Sequence, residues 1–118
     1  MISKIIDVHS HFTTKEYLNL IARHGASLED GFPLPQWNAQ DHLALMDECN
    51  IEWTLLSVSS PQPYFAGFDD ESVKMCRHLN ESVAKLKQNI QGVLNSRHAC
   101  RYPTLQLQLM RQFTRLMC

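Results

Sequence analysis

The 118-residue chain is short of most features that would classify it quickly. No apolar run approaches the ~20 residues of a membrane span, and Met-Ile-Ser-Lys carries no long apolar core of a signal peptide, so a soluble, cytoplasmic protein is expected. Charge of either sign is not in excess: the formal net charge is −1, which argues for neither nucleic acid nor an anionic membrane as partner. Cys49, Cys76, Cys100 and Cys118 form no CxxC pair, which favours reduced thiols over disulfides or a thiolate zinc site. There is no internal repeat or low-complexity segment, and no GxSxG surrounds Ser57, Ser59 or Ser60, so no nucleophile is assigned.

What is present centres on Ile5-Ile6-Asp7-Val8-His9-Ser10-His11-Phe12. Asp7, His9 and His11 recur at every second position. In a regular strand that spacing puts all three side chains on one face, with Asp7 deeper. Two imidazoles a pleat apart can reach one divalent cation, zinc above all, with iron, nickel and copper also suited to histidine. Asp7 would be a further ligand, or a second acceptor fixing the tautomer of a ligating histidine. The plainer alternative is a strand whose histidines make ordinary hydrogen bonds.

The chain downstream alternates helix and strand. Residues 13 to 24 read as a helix capped by Thr13 or Thr14, with Tyr17, Leu18 and Ile21 as its apolar stripe and Gly25 as a left-handed stop. Pro33 and Pro35 exclude helix from 26 to 36, where Phe32, Leu34 and Trp37 are candidates either for a pocket mouth or for plain packing. A second helix starts at Asn38 and stops at Asn50, with Leu43, Met46, Leu45 and Cys49 as its inward stripe. Residues 53 to 59 suit a buried parallel strand. In the loop after it, Tyr64 and Phe65 are candidate contacts for an unsaturated or aromatic substrate, with packing as the equal alternative. A third helix is expected to be capped by Asp69 or Asp70 and repeats Val73, Cys76, Leu79, Val83 and Leu86 at helical spacing. His24, His42 and His78 are read as surface or packing residues.

The pieces IIDVHSHF at 5–12, WNAQDHLALMDECNI at 37–51, WTLLSVSSP at 53–61 and ESVKMCRHLNESVAKLK at 71–87 resemble, in order and spacing, the amidohydrolase-related family. That family contains aminocarboxymuconate-semialdehyde and resorcylate decarboxylases. The resemblance implies an α/β fold: the N-terminal part, residues 1–94, of a (β/α)8 TIM-type metal-dependent hydrolase barrel, incomplete at this length against the ~250 residues of a full barrel. It implies His9 and His11 as metal ligands, Asp7 as their supporting residue, and a non-oxidative decarboxylase or hydrolase acting on a carboxylated, unsaturated or aromatic small molecule. The family's other ligands and its catalytic histidine belong to strands that have no counterpart here. The isolated chain is therefore expected to be inactive, with a truncated partner-binding fragment as the alternative and homo-oligomerisation left open.

Beyond residue 94 the resemblance stops, and 95–118 reads as an aberrant tail. Read from the third base of Asn95 with synonymous bases chosen freely, residues 95 to 104 can spell Phe-Ala-Ala-Cys-Leu-Pro-Leu-Pro-Asp, and the closing residues Tyr-Ala-Leu-Asp-Val. Both resemble the family's third strand and following helix, so a shifted reading frame is expected.

Overall fold

The structure, a computed structural model, describes residues 3–26, 28–59, 61–90 and, for the backbone, 93–95. Elements follow the order β1 (Ile5–His11), α1 (Lys15–Arg23), β2 (Leu28–Glu29), β3 (Phe32–Pro33), α2 (Ala39–Glu48), β4 (Ile51–Ser57), α3 (Asp69–Asn89) and β5 (Val93–Asn95). Of the tail assigned to 95–118, residues 96–118 lie outside the described residues.

Strands β1, β4 and β5 form a parallel sheet in that order. Parallel neighbours need long crossovers. The segment with α1, the small antiparallel β2–β3 hairpin and α2 supplies the first, and α3 the second. No helix among the described residues is long and apolar enough to cross a membrane.

The helices begin where side chains replace missing intrahelical partners. Thr14 caps α1, its Oγ1 accepting the Tyr17 N–H at 3.1 Å. Asn38 caps α2, its Oδ1 accepting the Asp41 N–H at 2.8 Å, while its amide donates to the Asp41 carboxylate. Helix α3 starts after Phe68 with no side-chain cap, which corrects the cap expected from Asp69 or Asp70; these two and Glu71 lie inside its first turn and face its positive end. The chain leaves α2 through Asn50 at φ +56, a left-handed conformation that asparagine tolerates. The Asn50 carbonyl then accepts the Ile5 N–H at 3.0 Å, which ties the start of β1 to the start of β4.

The core lies on the helix side of the sheet. Phe12, Tyr17, Ile21, Leu56, Val58, Val73, Cys76, Leu79 and Val83 are its buried cluster. Val58, just beyond β4, is buried against the helices. Three further expectations are corrected here. Of the α2 stripe only Met46 is buried; Leu45 and Cys49 are exposed. Leu20 rather than Leu18 completes the buried stripe of α1. Cys76 is disulfide-bonded, against the expectation of reduced thiols. The absence of CxxC excludes only local pairing.

Candidate metal centre

His9 and His11 are exposed at the C-terminal end of β1, and their rings converge. The two Nε2 atoms are 3.1 Å apart, with ring centroids at 4.8 Å and planes at 90°. Zinc–imidazole bonds of about 2.0–2.1 Å close such a gap at roughly 100°, near a tetrahedral angle. The residues present therefore fit a shared cation. The Nδ1 of His11 sits 3.4 Å from the Ser57 carbonyl and 3.3 Å from the Ser57 hydroxyl. Donation of Nδ1–H to that carbonyl leaves the lone pair of His11 on Nε2, the tautomer a metal requires. Ser57 is thus a supporting residue that the sequence did not single out. Its only signal was a position at the end of β4, register-paired with His11.

Asp7 does not share that face, which corrects the expectation of three side chains in a row. Between Asp7 and Ser10, β1 advances three residues while β4 advances only from Thr54 to Leu56, so the ladder carries a bulge. The extra residue reverses the alternation. Asp7 and Ser10 pair with Thr54 and Leu56, which are buried on the helix side, while His11 pairs with Ser57. The Asp7 carboxylate closes the bulge: Oδ1 accepts the His9 N–H at 3.0 Å and Oδ2 accepts the Ser10 hydroxyl. Asp7 therefore supports His9 through the main chain and not through its ring. The Ser10 and His9 hydrogen bonds, aided by His42 and His9 charge, hold its carboxyl below the usual carboxylate range. His42 on α2 lies 3.4 Å from the Thr54 hydroxyl; burial pushes its imidazole down, and Asp7 partly offsets this.

Beside His11 opens a pocket of about 190 Å³, walled by Phe12, Tyr17, Glu29, Leu34 and Trp37 among others. Its lining is mostly apolar, with the Glu29 carboxylate accepting a hydrogen bond from Ser59 at 2.9 Å. Tyr17 donates its phenolic proton to the Pro61 carbonyl at 2.6 Å. Burial, helped by Glu29, pushes its pKa up to about 12, so it stays neutral. Leu34 and Trp37 fall on this pocket, whereas Phe32 is exposed. A larger groove of about 400 Å³ lies between Lys4, Met46, Asn50 and Trp53 at the opposite, N-terminal strand ends. Parallel α/β folds carry chemistry at the C-terminal ends, so the smaller pocket is the relevant one.

Tyr64 and Phe65 pack against the core cluster. Phe65 stacks on His24 at 3.8 Å, and His24 also approaches Glu71 at 3.6 Å, so this loop is fastened to α1 and α3. Among the described residues no group of three His, Cys, Asp or Glu side chains could hold a metal ion.

No family model matches the chain. Over 82 residues, 69% of its length, it is 34% identical to decarboxylase yanB of Aspergillus niger, and that match spans 22% of the relative. Also over 82 residues, it is 27% identical to the 6-methylsalicylic acid decarboxylase acuB of Aspergillus aculeatus, covering 70% of this chain and 24% of that one. Its fold is similar to the crystal structure of an amidohydrolase II, with a TM-score of 0.68 and 30% identity over 77% of this chain and 29% of that structure. The chain spans less than a third of each, and the three likenesses together support an amidohydrolase-like decarboxylase family.

Proposed function

We propose that the chain is the N-terminal part of a divalent-metal-dependent enzyme of the amidohydrolase superfamily, a (β/α)8 barrel in its complete form, acting as a carboxy-lyase on a carboxylated, unsaturated or aromatic small molecule. The observation that carries this reading is the 3.1 Å convergence of the His9 and His11 Nε2 atoms, with His11 set in its ligating tautomer by Ser57. The metal, zinc being the first choice, would supply a Lewis acid that orients a substrate carboxylate or, in a hydrolase, lowers the pKa of bound water. His9 and His11 would hold it, Ser57 would fix the His11 ring, and Asp7 would fix the bulge that turns His9 toward it. The apolar pocket beside His11 would exclude water from the substrate body. A decarboxylase is favoured over a hydrolase because both sequence relatives are named as decarboxylases.

Two histidines leave zinc short of its usual three or four protein ligands. The chain alone is therefore proposed to bind zinc weakly and to be inactive. The test is titration calorimetry of zinc into the purified chain and into His9→Ala/His11→Ala. Weak binding lost in the double variant is expected; equally tight binding by that variant would sink the proposal. The shifted-frame reading of the tail is tested by the nucleotide sequence through and beyond codon 95. It expects a family-like reading in the neighbouring register, and a register broken by stop codons with no trace of later strands would count against it.

A second reading, a fragment that assembles with a partner supplying further strands, is favoured by β1, which is an edge strand among the described strands and whose Ile5, Ile6 and Val8 are at least half exposed. A free strand edge of this kind is a template for pairing.

A further inference from the structure

Thr13 follows the metal strand by two residues and makes two hydrogen bonds at once. Its hydroxyl donates to the Pro35 carbonyl at 2.9 Å and accepts the Trp37 N–H at 3.2 Å. Both partners belong to the segment after the β2–β3 hairpin, which has no regular structure of its own to hold it. The same segment, through Leu34, Pro35 and Trp37, is the outer wall of the pocket beside His11. Trp37 is otherwise placed by packing: its ring meets Phe12 edge to face at 5.9 Å, and its buried indole N–H has no hydrogen-bond partner among the described residues. Among the described residues, the polar attachment of this wall to the segment following β1 is thus the Thr13 hydroxyl. The pocket, about 190 Å³, is on the scale of an apolar cavity of ~150 Å³ that accepts benzene.

We infer that Thr13 is a positioning residue whose hydroxyl sets the distance of the Leu34–Trp37 wall from His11, and thereby limits the pocket to ligands with a single ring. This rests on the reading of the pocket as the substrate side of the metal centre. Thr13 itself lines the pocket, and its hydroxyl is engaged by Pro35 and Trp37, through which it sets the wall. A valine there keeps the shape and loses both hydrogen bonds, whereas a serine keeps both. Only the part of these two bonds that differs between a small and a large ligand enters the preference, so losing them should change the binding ratio by up to about tenfold.

The test uses the full chain in a Trp53→Phe background, in which Trp37 is the sole fluorophore of its type. Benzoate and 2-naphthoate are titrated by Trp37 emission, with and without zinc chloride, and zinc affinity is measured separately. The parent should prefer benzoate by about tenfold, Thr13→Ser should keep that preference, and Thr13→Val should reduce it to about threefold or less at unchanged zinc affinity. Leu34→Ala, which widens the wall without touching the latch, should admit 2-naphthoate. The same size preference in Thr13→Val as in the parent, or no gain by Leu34→Ala, would overturn the inference. Zinc binding without binding of either probe would overturn it too, while leaving the metal reading intact. Failure to bind zinc would remove the metal reading, and the zinc-free probe ratios would still decide the role of Thr13.

Discussion

Strands β1 and β4 lie side by side, each of seven residues, and they meet opposite fates. In β4 the alternation of a half-buried strand is intact: Thr54 and Leu56 are buried, as is Val58 just beyond, and Glu52 is exposed. In β1 the apolar side chains are the exposed ones, with Val8 at 70%, and the partly buried positions are polar, Asp7 and Ser10. The difference teaches that β1 is shaped by what it presents and β4 by what it packs. The Asp7 bulge gives up a regular ladder and places His9 and His11 together. Its neighbour supplies the core that makes this affordable.

The largest test of that contrast is a pair of truncations. Leu79→Ala, in the core under β4, should cost about 2–5 kcal/mol in urea unfolding. Val8→Ala should stay within about 0.5 kcal/mol, as exposed substitutions do. A Val8→Ala cost rivalling Leu79→Ala would mean that β1 is covered in solution, and the contrast would fail.

Coverage can also be tested directly. An exposed, apolar edge strand favours association, so sedimentation should show self-association of the chain and an unfolding midpoint that depends on concentration. Val8→Lys places a charge on that face and should weaken association about tenfold, or ~1.4 kcal/mol. A monomeric chain with a sharp, concentration-independent transition would show that β1 needs no cover.

Much of this was legible in the sequence because local chemistry decided it. The Thr14 and Asn38 caps, the Asn50 stop and the α3 stripe through Val73, Cys76, Leu79 and Val83 each depend on residues a turn or two apart. The two-residue spacing of His9 and His11 is equally local, whereas the bulge that turns His9 is not. What the sequence withheld depends on partners far along the chain. The bulge is a mismatch between β1 and β4, so a strict period of two misplaced Asp7. Ser57 gains its role only when parallel pairing brings it to His11. Phe65 is engaged by His24 on a helix forty residues earlier, which no spacing within its own loop could announce.

A third prediction sharpens the account of the bulge. Asp7→Asn keeps the shape and removes the charge that accepts from His9 and Ser10. Hydrogen bonds to a charged acceptor are worth about 1.5–3 kcal/mol when shielded, and partial exposure should reduce this to about 1. The folded pKa of Asp7 is depressed, so its contribution is present above the ordinary carboxylate value near 3.9 and is lost as pH falls through the folded value. In acid titrations the variant should lose the part of the slope below about pH 4 that the parent shows. Zinc affinity should also fall, since His9 would no longer be turned toward His11. An unchanged affinity would separate the bulge from the site.

The smallest expected effect concerns His42, which stands behind Asp7 on the covered side of the sheet. It faces the Thr54 hydroxyl, the Trp37 ring at 5.8 Å and the Asp7 charge. Burial lowers its folded pKa, so the neutral ring is the form that the fold accepts. The stability it permits is complete above the unfolded value near 6.5 and declines as pH falls through that value toward the folded one. Asp7 opposes the shift by favouring the imidazolium, and the site is partly solvated, so the decline between pH 7 and 5.5 should be about 0.5 kcal/mol or less. His42→Gln keeps a donor for Thr54 and cannot titrate, so its stability should be flat across that window. Combining it with Asp7→Asn separates the two charges. In Asp7→Asn alone the decline attributed to His42 should grow, because the carboxylate that offsets burial is gone. A decline that shrinks instead would mean that Asp7 and His42 do not share a side of the sheet, and the bulge would have to be redrawn.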